Sequence, residues 1–340
     1  MGITSLGRSA LGRFDGLSAE SRDLAGWILV LPGLLLFSMF MIYPIAMLFY
    51  ISLTDATTPG SVVGGQTSFV GLENYVELFS DWRFWNSMFT TWLFLAVSLA
   101  FKIVLAIGLA MLLTHDRVKG KRYMRAIVII PMGFPPIFTI SIWRGMFSGA
   151  RFGPINEFLA MYNGAVTSLV GALDTLVFFA TIEAPQLLLV DIPVGFLSSR
   201  WGAFAAYVTT EIWLAYPFMV IIIVSALQDV PGELHDAAKV DGAGYLHRFT
   251  NVTYPSIKGP VIFASILTAA TSFQNILIPW VMNQGGPSRQ NELIMVYGYR
   301  EAIIENQFAL ASSIMTVAII VVGMFMIVAV KKTNIAEGVE

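Results

Sequence analysis

The sequence predicts an all-α integral membrane protein with six spanning helices, and three observations lead there. Of its 340 residues, 56% are hydrophobic and only 12% are charged, against about 25% charged in soluble domains. Mean hydropathy is +0.72. Six apolar runs, each able to supply the roughly 20 helical residues that cross a hydrocarbon core, alternate with polar stretches. Net charge is -2, so no nucleic-acid partner is expected. With no cysteine, disulfides, thiolate metal sites and thiol nucleophiles are excluded. His115, His235 and His247 read as solvated polar residues rather than a metal cluster.

Taken in order, residues 1–23 form a polar N-terminal segment with Arg8, Arg13 and Arg22, and a single six-span membrane domain occupies 24–340. The first span is 24–53. At about thirty residues it is too long for a signal-peptide core; Pro32 and Pro44 are its expected kink points. Residues 54–83 make a mixed loop with an amphipathic stretch at Phe69–Phe79. Trp82 and Trp85 suit either an interfacial belt or simple packing.

The second span, 84–114, carries Lys102 near its middle. A charge there is costly and needs a partner or water. It reads as an ion pair with an acidic helix residue or part of a substrate pathway, with snorkelling toward the membrane surface as the competing reading. A basic loop, Asp116–Arg125, leads to the third span, 126–147, which PMGFPP must unwind or bend sharply. A surface helix is expected at Phe152–Leu159. Leu173–Leu197 is apolar but holds Asp174, Glu183 and Asp191, each costing about 2.5–3.5 kcal/mol at mid-membrane. Residues 160–200 therefore read as an external insertion. The remaining spans are 201–227, 261–282 (interrupted by TSFQN) and 308–330, with an external turn at 283–291.

Residues 229–259 are the longest polar stretch of the second half. Pro231 and Glu233 suit a first helical turn. Leu234, Ala237, Ala238 and Val240 make a narrow apolar stripe. Asp241-Gly242 stops that helix, because glycine can take the left-handed cap conformation. A second short helix is expected from Tyr245 to Asn251. An ordinary solvated loop is the alternative.

Topology follows from Lys and Arg. With the N-terminus inside, the inner segments hold thirteen of them, including Arg117, Lys119, Lys121, Arg122, Arg125, Lys239, Arg248, Lys258, Lys331 and Lys332. The outer segments hold six: Arg83, Arg144, Arg151, Arg200, Arg289 and Arg300. Both termini and the 229–259 loop are thus expected in the cytoplasm.

Two polar faces lie inside spans. Glu211, Ala215 and Phe218 are spaced by four and three, and Thr268, Thr271, Ser272 and Asn275 recur likewise, so each set shares a helix face. Such faces either line a cavity for a polyol, whose hydroxyls need many partners and whose C–H faces stack on rings, or hydrogen-bond helix to helix. No phosphate-binding loop occurs: Gly120-Lys121 lacks an upstream glycine in register.

LHDAAKVDGA at 234–243, followed by Tyr254-Pro255, closely resembles the EAA loop of binding-protein-dependent ABC importer permeases. Asp236 stands where that family usually has Glu. The resemblance implies that Glu233, Leu234, Asp236, Ala237, Ala238, Asp241, Gly242 and Ala243 form a coupling helix that docks on an ATPase subunit. FVGLENYVELFSDWRFWNS, IPMGFPPIFTISIWRGMF and the GGP at 285–287 are also similar to that family. EIWLAYPF and TSFQN resemble the stretches lining the sugar site of maltose-type permeases. This carries a substrate-binding role to Glu211, Leu214, Ala215, Phe218, Thr268, Thr271, Ser272 and Asn275. Glu211 departs from the family's neutral amide.

The likeness runs from Leu29 to Lys331 except near 160–200. It implies the type I permease fold in a prokaryotic plasma (inner) membrane, and a non-enzymatic, cofactor-free subunit importing a sugar, oligosaccharide or polyol. The implied partners are a second homologous permease, two ATPase subunits, an extracytoplasmic solute-binding protein and membrane lipid. A secondary, ion-coupled transporter using Lys102 and Glu211 is the alternative. A purely structural membrane subunit is the third reading.

Overall fold

A computed structural model describes residues 19–115, 117–150, 153–176 and 189–333, with the backbone alone for 19–25 and 173–176. Arg8, Arg13, Arg22, Arg151, Asp174, Glu183 and the acidic tail lie outside the described residues or side chains. Among the described residues the regular structure is helical, apart from an isolated antiparallel bridge between Thr54 and Phe69.

Helix α1 (Ala19–Phe37) passes through a π-helical turn, Ser38–Ile42, into α2 (Tyr43–Ile51). The wider turn precedes Pro44, so the ring is accommodated and the segment continues as one candidate span, Gly26–Ile51. The short helices α3 (Pro59–Val63) and α4 (Glu73–Ser80) cross the mixed loop. α5 runs from Trp82 to Thr114. α6 (Lys121–Ile129), a 3-10 turn (Ile130–Gly133) and α7 (Pro136–Met146) follow. Around PMGFPP the two halves are bent by 94°. Pro136 cannot donate a backbone hydrogen bond, and the pre-proline Phe134 is extended, as sterics before Pro135 require. Counted as one span, this pair makes six with the five long apolar helices.

α8 spans Pro154–Leu176. It is much longer than the surface helix expected at Phe152–Leu159, and it fills the first part of the 160–200 insertion. It is not among the helices long and apolar enough to cross a membrane. Asn156 and Asn163, two turns apart, pin the returning chain to it. The Asn163 amide bonds both polar groups of Val190 at 2.7 and 3.0 Å. Asn156 accepts from Val194 N at 2.8 Å and donates to Ser148 O at 3.1 Å. Each bond is worth about 0.5–1.5 kcal/mol net. Replacing both asparagines by Ala is expected to expose 189–195 to added protease while the bundle melts unchanged. Protection equal to that of the parent chain would exclude the pinning.

α9 (Arg200–Gln228) leads to α10 (Gly232–Val240). The next helix departs from expectation. α11 (Tyr245–Arg248) does not end before Pro255; it runs through a π turn, Phe249–Thr253, into α12 (Tyr254–Phe273). The polar loop therefore ends near residue 244, and 245–273 is one long apolar helix. The π turn removes the conflict with the proline ring. TSFQN ends this span rather than interrupting it. Asn275 Oδ1 accepts from Ile278 N at 3.1 Å and starts α13 (Leu277–Asn283). α14 (Ile294–Ile303) and α15 (Phe308–Thr333) complete the described chain.

α5, α9 and α12 pack together as the centre. The buried face of α5 repeats every four residues through Phe94, Ser98, Lys102, Ala106 and Ala110. On α9, Ala203, Ala206 and Thr210 face inward. Small residues let membrane helices approach closely, where packing replaces the absent hydrophobic drive. Trp92 joins Phe273 and Phe325 in edge-on contacts at 5.5 and 5.3 Å, tying in α12 and α15.

One end of the bundle brings Met111, Thr114, His115 and Arg117 beside 227–253 around a cavity of about 960 Å³. The opposite end is closed by polar contacts. Asn86 donates to Gln290 O, Arg200 donates to Asn86, and Asn291 donates to Arg200 O at 2.7 Å. Gly285, at φ +81, is required there, since a Cβ would lie 2.9 Å from Glu292 Cα. Burial pushes the Glu292 carboxyl up, against the pull of Arg300, whose Nε donates to it at 2.8 Å.

Candidate functional site

The two polar faces converge with Lys102 into one buried cluster. Lys102 Nζ donates to Glu211 Oε1 at 2.9 Å and to Ser272 Oγ at 2.7 Å. Ser272 Oγ donates to the same Oε1 at 2.7 Å, and Asn275 Nδ2 donates to Oε2 at 2.9 Å. Lys102 and Ser272 are 0% exposed and Glu211 5%. Three helices, α5, α9 and α12, each contribute. The snorkelling reading of Lys102 is thereby excluded: its ammonium is closed inside the bundle, where a paired charge is tolerated and a lone one is not.

The other candidates sort by exposure. Leu214, Ala215, Phe218 and Asn275 are half-buried and Thr271 is exposed, so they edge an open face. Thr268 is buried, and its hydroxyl is among those without a hydrogen-bond partner. Its carbonyl accepts from Thr271 Oγ1 at 2.9 Å. An unpartnered buried hydroxyl costs free energy.

The second candidate region is α10. Glu233 sits in its first turn and no residue of the helix is buried. Its end is a Schellman motif: Gly242, at φ +75, donates to Lys239 O at 3.0 Å, and Ala243 donates to Ala238 O at 2.9 Å. Leu234, Ala237 and Val240 are exposed, as are Tyr245 and Leu246 beyond the turn, while Ala238 and His235 are half-buried. His235 is thus not fully solvated; it lines the 960 Å³ cavity with His115, Arg117 and Arg248. Among the described residues no group could hold a metal ion. Lys239 donates to Asp236 Oδ1 at 2.7 Å. That hydrogen bond and the ammonium charge hold the Asp236 carboxyl below the usual carboxylate range. Both side chains are well exposed, so solvent screens the pair.

Sequence reasoning missed the asparagines that close the opposite end. Asn283 donates to Leu197 O at 2.8 Å and accepts from the Tyr207 hydroxyl. In sequence Asn283 and Asn291 look like loop asparagines; only their partners in the fold distinguish them.

Comparison with known proteins agrees with this architecture. The trehalose/maltose transport system permease protein MalF of Thermococcus litoralis is 29% identical, over 90% of this chain and 92% of that one. The sulfoquinovosyl glycerol transport system permease protein SmoG of Agrobacterium fabrum is also 29% identical, over 85% and 87%. A crystal structure of a bacterial ABC transporter that imports the acidic polysaccharide alginate contains a chain of the same fold. The TM-score is 0.64 at 17% identity, covering 92% of this chain and 96% of that one. That transporter with an alginate pentasaccharide-bound periplasmic protein gives 0.65 at 18% identity. The fold is the type I ABC importer permease fold. Residues 102–333, which include both candidate regions, match the model of one family, and the chain belongs to it: the binding-protein-dependent transport system inner membrane components.

Proposed function

We propose that the chain is one permease subunit of an ATP-driven importer for a sugar, oligosaccharide or polyol, in a prokaryotic inner membrane. The observation that carries the reading is α10. A helix with a firm cap, no buried residue and an outward apolar stripe is built to be covered by a partner. ATP binding and hydrolysis fall to two separate ATPase subunits that receive α10. A second, similar permease faces the open side of α9 and α12, and an extracytoplasmic binding protein delivers substrate at the opposite end. Closure of the ATPase pair moves α10 as a rigid lever and rocks the spans. The transport names of the relatives supply the carbohydrate class. Glu211, Ser272, Asn275, Thr268 and Thr271 supply acceptors and donors for hydroxyls, and Leu214, Ala215 and Phe218 the apolar edge. In the ion-coupled reading, Lys102 would have to exchange protons with water; its ammonium is instead sealed in the bundle.

Purifying the tagged chain from its native membrane tests this directly. An ATPase and a second permease are expected to come with it; a homo-oligomer with no ATPase would sink the importer reading. Orientation has its own test. The chain has no cysteine, and Ser198 is exposed near the end opposite α10. A single Ser198→Cys chain is expected to react with an impermeant thiol reagent from outside. Labelling from inside alone would reverse the topology, with α10 then facing away from the cytoplasm.

A further inference from the structure

We propose that Lys102 sets the charge selectivity of the site: it cancels the charge of Glu211 and positions that carboxylate to accept from an uncharged polyol. The inference rests on the carbohydrate reading above and adds to it a residue outside the two polar faces.

The hydrogen-bond inventory carries the argument. A carboxylate oxygen has about two lone-pair sites. Glu211 Oε1 accepts from Lys102 Nζ and Ser272 Oγ and is filled. Among the described residues, Oε2 accepts from Asn275 Nδ2 alone, so one site remains. Asn275 is half-buried and Thr271, one turn back, is exposed, so the vacant site lies toward the open face. Lys102 is sealed and two of its three donors are committed. A ligand therefore meets an acceptor and an amide with no net charge behind them. An ammonium group gains little there, because the carboxylate is already compensated at 2.9 Å. A ligand carboxylate meets Oε2 lone pairs before it could reach the lysine. A neutral hydroxyl fits.

Glu211 and Lys102 then form a balance that can be tipped either way, which a merely structural ion pair would not show. The test uses the whole purified complex in nanodiscs. Thermal protection is read against trehalose, glucosamine and glucuronate as neutral, cationic and anionic probes. The parent complex is expected to be protected by trehalose alone. Lys102→Met leaves a bare carboxylate. Its half-protecting trehalose concentration should rise about tenfold, and protection by glucosamine should appear. Glu211→Gln unmasks the ammonium and should bring protection by glucuronate. The double variant Lys102→Met/Glu211→Gln carries no buried charge and should return to trehalose alone.

Trehalose protection of Lys102→Met equal to that of the parent overturns the role of Lys102. If the single variants do not assemble, the double variant decides. Protection by trehalose without either charged probe supports charge cancellation, and loss of all protection overturns it. A parent complex protected by none of the three sugars instead overturns the carbohydrate reading itself.

Discussion

Glu211→Leu is expected to prevent the chain from accumulating as a folded subunit. The substitution leaves the Lys102 ammonium 0% exposed, with Ser272 Oγ its remaining partner in the cluster. Breaking a buried ion pair by removing one partner costs about 3–5 kcal/mol, a large part of the 5–15 kcal/mol that holds a typical domain together. Replacing both charges by apolar groups is often neutral, so Lys102→Met/Glu211→Leu should recover much of the loss. The yield and melting temperature of the purified complex provide the measurement. Should Glu211→Leu melt within about 2 °C of the parent, the pair contributes far less than a buried salt bridge lost from one side.

Gly242→Val is expected to uncouple ATP hydrolysis from uptake. Gly242 sits at φ +75 with nothing within 4 Å of where a Cβ would be, so the effect is conformational rather than a clash. An L-residue in the left-handed region costs roughly 1–2 kcal/mol, and a β-branched one is a genuine outlier there. The Schellman bonds to Lys239 O and Ala238 O would be lost, and with them the fixed angle between α10 and the long helix that begins at Tyr245. Uptake should fall about tenfold or more, as a cost of 1.4 kcal/mol at the working geometry implies, while the complex still assembles and hydrolyses ATP. Gly242→Asn is the control, since Asn visits this region more readily. Full uptake by an assembled Gly242→Val complex would remove the lever from the mechanism.

The two variants probe regions that were legible to different depths. α10 could be read almost residue by residue. Its start at Pro231 and Glu233, its stop at Asp241-Gly242 and its apolar stripe are local features, written in neighbouring side chains and backbone preferences. The resemblance to importer permeases rests on the same local pattern. The polar faces of α9 and α12 were legible for the same reason, because i, i+3 and i, i+4 spacing fixes which residues share a face. Their meeting with Lys102 was open in the sequence, one of several readings. That contact joins positions 109 and 170 residues apart, and no local rule separates a lysine that snorkels from one that finds a carboxylate. The asparagine pins on α8 were hidden likewise: Asn163 and Val190 become partners only after the chain returns.

By itself, then, the sequence determined the membrane class, the number of apolar runs, the lack of cysteine and of a phosphate-binding-loop pattern, and the local form of α10. Composition, length and periodicity decide these, and each acts over a few turns of chain. Tertiary structure alone decided that Glu211 is spoken for by Lys102, and that TSFQN ends a helix instead of crossing one. It also decided that the helix starting at Tyr245 runs on through Pro255 to Phe273 instead of stopping near Asn251, and that the third span bends by 94°. Each of these turns on which distant group reaches a buried polar atom first, or on how a turn widens to admit a proline. Those are outcomes of packing three or more segments together, where the free energy belongs to the assembly and not to any one stretch of sequence.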